Sequence, residues 1–209
     1  MEPNSLPFTV QFAKEVVVRL ISISGTIIGV LIIALSLATG VSHSHSFAMG
    51  ISHPLLGLDH VFVMITVGLW AVFVGGRAVW ALPLTFLATM LAGFAAVSAG
   101  LDLPLVEPIV LSSMIVLGLL IALTVKAPVW LGSLITAMFG FFHGHAHGTE
   151  AVAASLIWYA AGFTFSTATL HAIGIGFGIF AASSRDKDAL RVMGGVMVLI
   201  GTVLIAILK

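Results

Sequence analysis

The sequence predicts an all-α, polytopic transmembrane helix bundle of six spans, preceded by an N-terminal signal or signal-anchor helix. Two observations carry this prediction. Of 209 residues, 60% are hydrophobic and 8% are charged, whereas soluble domains carry roughly a quarter charged residues. The apolar residues also fall in successive runs near the ~20 residues that a helix needs to cross the hydrocarbon layer. Helices satisfy their own backbone hydrogen bonds across that distance without closing into a barrel.

Residues 1–41 form the first element, a signal peptide or signal-anchor helix. Lys14 and Arg19 precede an apolar stretch from Leu20 to Ala38, and small residues Ala38, Thr39 and Gly40 follow. That order matches a secretory signal, although the apolar stretch is long for one. Residues 42–209 then form the membrane domain, with spans expected at about 52–74, 79–100, 105–125, 128–148, 152–181 and 189–208. At 1.5 Å per residue the stretch 152–181 would be roughly 45 Å long, so it must tilt, kink or project from the lipid.

The cations orient these spans. With the N-terminus inside, Arg77, Lys126, Arg185, Lys187 and Arg191 all fall in inner loops beside Lys14 and Arg19, leaving only Lys209 outside. One span more or fewer would scatter these charges, so the positive-inside rule supports orientation and span count together. The same topology puts the histidine clusters, Asp102, Glu107 and Glu150 at the outer side, where an acidic, imidazole-rich surface concentrates divalent cations.

Composition also excludes classes of function. There is no cysteine, so disulfides and thiolate metal sites are ruled out. Net charge is zero and there is no basic patch to hold nucleic acid. No Gly-Lys-Ser/Thr phosphate loop occurs. The partners that remain are a divalent metal ion, the lipid bilayer and further copies of the chain, with no tightly bound cofactor.

Two clusters carry the chemistry. In His53-Pro54-Leu55-Leu56-Gly57-Leu58-Asp59-His60, a continuous helix would eclipse His53 and His60 on one face, with Pro54 in its first turn. Asp59 would either ligate a metal or hold an imidazole in one tautomer. In Phe142-His143-Gly144-His145-Ala146-His147-Gly148-Thr149-Glu150, a helix would place His143, His147 and Glu150 along one stripe, with His145 pointing away. Imidazoles one turn apart can share an ion. Ionisable groups are costly in a membrane and are therefore functional by default. His171, within the stretch 152–181, is either a bundle hydrogen-bonder or an inner relay ligand. Met193 and Met197, one turn apart, read as packing.

These blocks, together with Leu170-His171-Ala172-Ile173-Gly174, Val67-Gly68-Leu69-Trp70 and Gly75-Gly76-Arg77, resemble the HupE/UreJ family of bacterial membrane proteins. These proteins are accessory to hydrogenase and urease and are regarded as nickel permeases. The resemblance runs from about residue 53 to the C-terminus. It implies six mature spans behind an N-terminal signal, an inner-membrane location with the histidines facing the periplasm, and Ni²⁺ import rather than catalysis. Carried over residue by residue, the important positions are His53, Asp59, His60, His143, His147 and Glu150, with His145 in a lesser role. The donor set alone also suits Co²⁺ and Zn²⁺, which leaves a cobalt transporter for cobalamin synthesis, or an intramembrane zinc-dependent hydrolase, as alternatives.

Overall fold

A computed structural model describes residues 42–151, 155–183 and 187–207; the expected signal or anchor at 1–41 lies outside them. The described residues form seven α-helices: α1 Ser42–Leu56, α2 Leu58–Val74, α3 Ala78–Ser98, α4 Val106–Ala122, α5 Val129–Thr149, α6 Leu156–Ser183 and α7 Lys187–Ile207. Among them α3, α6 and α7 are long and apolar enough to cross a membrane. The bent pair α1–α2 makes a fourth span if counted as one.

Two expectations about the first cluster are corrected. Residues 42–51, left outside the expected spans, are helical. The span expected at 52–74 is broken at Gly57, where the backbone is extended (φ −92°, ψ 116°) and the chain bends by 83°. Pro54 therefore sits in the last turn of α1 rather than the first turn of a continuous helix. Proline cannot donate the ladder bond that a continuing helix would require, and glycine is a poor helix former, so the two together favour a break here. The short, polar start of α1 holds its helix by packing on α6, a tertiary contact that local propensity does not anticipate.

Glycines set the helix pairing. A Cβ on Gly93 of α3 would strike the Phe141 carbonyl of α5, and one on Gly144 of α5 would strike Met90 of α3. These two helices thus touch backbone to backbone, the close approach that small residues permit in membrane bundles. The same reciprocal arrangement joins α1 to α6 through Gly50 and Gly162, α2 to α6 through Gly68 and Gly174, and α4 to α7 through Gly118 and Gly194. Between α2 and α3 the chain turns on Gly75 and Gly76, whose φ values of 82° and 56° a side chain would disfavour.

The two ends of the bundle differ. At one end Trp70 Nε1 donates to the Val125 carbonyl over 3.1 Å, and Lys126 Nζ stands 5.8 Å from the Phe73 ring centre. A cavity of about 490 Å³ opens there, bordered by Phe73, Lys126, Ala181 and Leu190. The described helix ends that flank the loops expected to be inner thus share one end. At the other end lie Ser46, whose hydroxyl accepts the Ser155 N–H over 3.2 Å, and His53, paired with Glu150. Buried Trp70, Phe86, Phe139 and Phe163 fill the space between.

Candidate metal centre

The histidine end is built from three helices. His53 lies one turn before the end of α1, Asp59 and His60 begin α2, and His143 and His147 lie in the last turns of α5, with Glu150 as its C-terminal cap. The 83° bend at Gly57 folds His60 back towards His53, so their ring centres stand 5.9 Å apart. His147 closes a triangle with them, at 4.8 Å from His53 and 4.9 Å from His60. One ring nitrogen from each of these three lies within 4.8 Å of the others. Nitrogens that share a tetrahedral ion with bonds of about 2.0–2.1 Å stand about 3.3 Å apart, so a modest inward movement would close this cluster on a cation.

The polar contacts around the triangle prepare it for a ligand. His60 Nδ1 lies 3.0 Å from Asp59 Oδ1 as a charge-pair contact, and both of its buried ring nitrogens lack a hydrogen-bond partner among the described residues. His53 Nε2 lies 3.0 Å from Glu150 Oε2. Each carboxylate thus holds one nitrogen of an imidazole, the usual support for a metal-ligating histidine. His143, at 5.2 Å from His60, is fully buried and holds its Nδ1 2.8 Å from the Phe139 carbonyl. A carbonyl only accepts, so Nδ1 carries the proton and Nε2 the lone pair. That Nε2 and both nitrogens of His147 are buried without hydrogen-bond partners among the described residues. Unmet polar atoms are costly in an apolar interior and call for an explanation such as a ligand.

Six of the seven expected ligand positions therefore converge: His53, Asp59, His60, His143, His147 and Glu150. His53 and His60 meet not as one helical face but because the helix between them breaks. His171 is apart from the cluster; its Nδ1 lies 2.7 Å from the Met64 carbonyl. His145 faces the loop after α3, with Nε2 3.0 Å from the Leu101 carbonyl. Met197, read as packing, also takes the Thr66 hydroxyl at 2.7 Å.

Aromatic residues that sequence reasoning did not single out wall the site. The Phe163 ring stacks on His147 at 4.8 Å and 2°, and Tyr159, one turn earlier on α6, stands 6.0 Å from His53. The Tyr159 hydroxyl is buried without a hydrogen-bond partner among the described residues. The available signal was that Tyr159 is the sole tyrosine of the chain and shares a helical face with Phe163.

Comparison with known proteins places the chain in a family. The family model described as HupE / UreJ protein matches residues 26–204. Protein HupE of Rhizobium leguminosarum bv. viciae is 37% identical over 164 residues, which cover 78% of this chain and 86% of the relative. No solved structure matches the chain. A match over most of the chain, carrying both histidine blocks within it, establishes that the protein belongs to the HupE/UreJ family.

Proposed function

We propose that this chain is a Ni²⁺ uptake permease of the bacterial inner membrane, with six mature spans and its histidine end at the periplasm, supplying a metalloenzyme such as hydrogenase or urease. The observation that carries this reading is the convergence of His53, His60 and His147 nitrogens from three helices within 4.8 Å. Orientation follows from the cationic loops, which belong on the cytoplasmic side.

A hydrated cation enters past His53 and Glu150, the exposed rim of the site. It exchanges water for the imidazoles of His53, His60 and His147, while Asp59 and Glu150 fix ring orientation. His143 then offers its free Nε2 deeper in the bundle, and His171 serves as an inner relay. An inside-negative potential supplies about 2.3 kcal/mol per charge per 100 mV, hence about 4.6 kcal/mol for a divalent ion that crosses fully. A transport site must also release its ion, and the loosely spaced triangle suits moderate affinity. Imidazole and carboxylate donors bind Co²⁺ in the same affinity series, so cobalt is the second cargo to test.

Radiolabelled Ni²⁺ and Co²⁺ uptake in competition, in cells that express the chain, tests the reading. Expected are uptake above the vector control, greater inhibition of each ion by nickel than by cobalt, and loss of uptake in His60→Ala. Uptake that is unchanged in His60→Ala and His147→Ala would contradict it.

A further inference from the structure

His143 and His171 share a feature that the outer triangle does not account for. Each is buried, with its Nδ1 held by a backbone carbonyl, Phe139 for one and Met64 for the other. Each therefore carries a lone pair on an Nε2 that has no hydrogen-bond partner among the described residues. No ring contact joins them directly. The Phe86 ring of α3 lies against both instead, at 5.3 Å from His143 and 5.2 Å from His171, edge-on to the latter at 89°.

Phe86 is completely buried, and its backbone is pinned. A Cβ on Gly140 of α5 would come within 2.6 Å of the Phe86 carbonyl oxygen. Any yielding at this position therefore belongs to the side chain and not to the helix. Met90 follows one turn later on the same face, and it too is fully buried. An unbranched thioether repacks more readily than the branched residues that could fill this place.

Resting on the permease reading, we propose that Phe86 is the partition between an outer chamber (His53, His60, His147 and His143) and an inner station at His171, and that cation transfer requires its ring to swing aside. An aromatic plug is apolar and offers a desolvated cation no ligand. It thus blocks passive leakage while the histidines on either side hold the ion.

The chain has no cysteine, so a single introduced thiol can be read without background. His171→Cys is made with Phe86 intact and combined with Phe86→Ala or, if that variant folds poorly, Phe86→Leu. Each is treated from the periplasmic side, in right-side-out vesicles, with a membrane-impermeant cationic methanethiosulfonate. His53→Cys serves as the outer control. Modification at position 171 is expected to be slow with Phe86 and about tenfold or more faster without it, at an unchanged rate at position 53. Equal rates at position 171 with and without Phe86 would overturn the partition. A parallel rise at position 53 would also count against it, because it reports general loosening. The thiol reaction does not depend on transport, so absence of nickel uptake by the unaltered chain would contradict the permease reading and leave the partition decided by the thiol rates.

Discussion

The two histidine-bearing regions of the site are built in opposite ways. His143 and His147 ride on an unbroken helix whose backbone is locked to α3 at Gly93 and Gly144. His53 and His60 face each other across the extended Gly57 hinge, between two helices bent by 83°. One half of the site is a platform on an unbroken helix; the other is a clamp across a break, although α1 and α2 are each locked to α6 through Gly50–Gly162 and Gly68–Gly174. The adjustment needed to draw nitrogens that lie within 4.8 Å of one another onto one ion is therefore expected at the Gly57 segment between those locks.

The largest effect is expected from breaking the platform. A Gly144→Val side chain would drive into the Met90 backbone, where neither helix can yield. Overpacking of this kind costs typically about 1–3 kcal/mol and more against backbone. Ni²⁺ binding and monodisperse yield in detergent should both collapse. A well-folded Gly144→Val protein that binds nickel normally would show that the platform is not rigid.

Next comes the carboxylate that holds the clamp. Asp59→Asn keeps the shape but weakens the hold on His60 Nδ1, and loss of such support typically costs about 10–100-fold in metal affinity. Glu150→Gln should cost less, because Glu150 is 59% exposed and water screens and replaces its contact. Equilibrium dialysis with Ni²⁺ orders the two; a larger loss for Glu150→Gln would reverse the assignment of roles.

Gly57→Ala sharpens the comparison further. Gly57 has a φ that any residue adopts, yet a Cβ there would meet Asp59 Oδ1 at 2.7 Å and His60 Nδ1 at 2.9 Å. The glycine thus makes room for the ion pair. Its replacement should weaken binding severalfold and leave helix content by circular dichroism unchanged.

The mildest probe is pH. Imidazoles ligate only when neutral, so uptake should decline as pH falls and protons compete for the ligand lone pairs. The sign follows from competition: protons occupy the lone pairs that the metal needs, so lower pH favours the empty site. Uptake assays across pH 5–8, at about constant membrane potential, check this. A flat profile would exclude imidazole ligation as the limiting step.

The all-α fold class and the gathering of both histidine blocks at one end of the bundle were legible in the sequence. Hydropathy and the positive-inside pattern act on whole segments and survive local error. The break at Gly57 is signalled locally by Pro54 and Gly57 yet masked, because His53 and His60 are spaced as they would be on one continuous helix face. The tertiary contacts of α1 with α6 make the broken form observable. Tyr159, Phe163 and Phe86 escaped notice for a different reason. In so apolar a chain a phenylalanine carries no distinguishing signal until the histidine it touches is known, and only the rarity of tyrosine marked Tyr159.

The central claim is that imidazoles of His53, His60 and His147 hold one cation together. X-ray absorption spectroscopy of the Ni²⁺-loaded protein tests it most directly. Imidazole scattering from three rings is predicted for the unaltered chain, falling by one ring in each of His53→Ala, His60→Ala and His147→Ala. A nickel spectrum without imidazole scattering, or one unchanged by all three substitutions, would contradict the account.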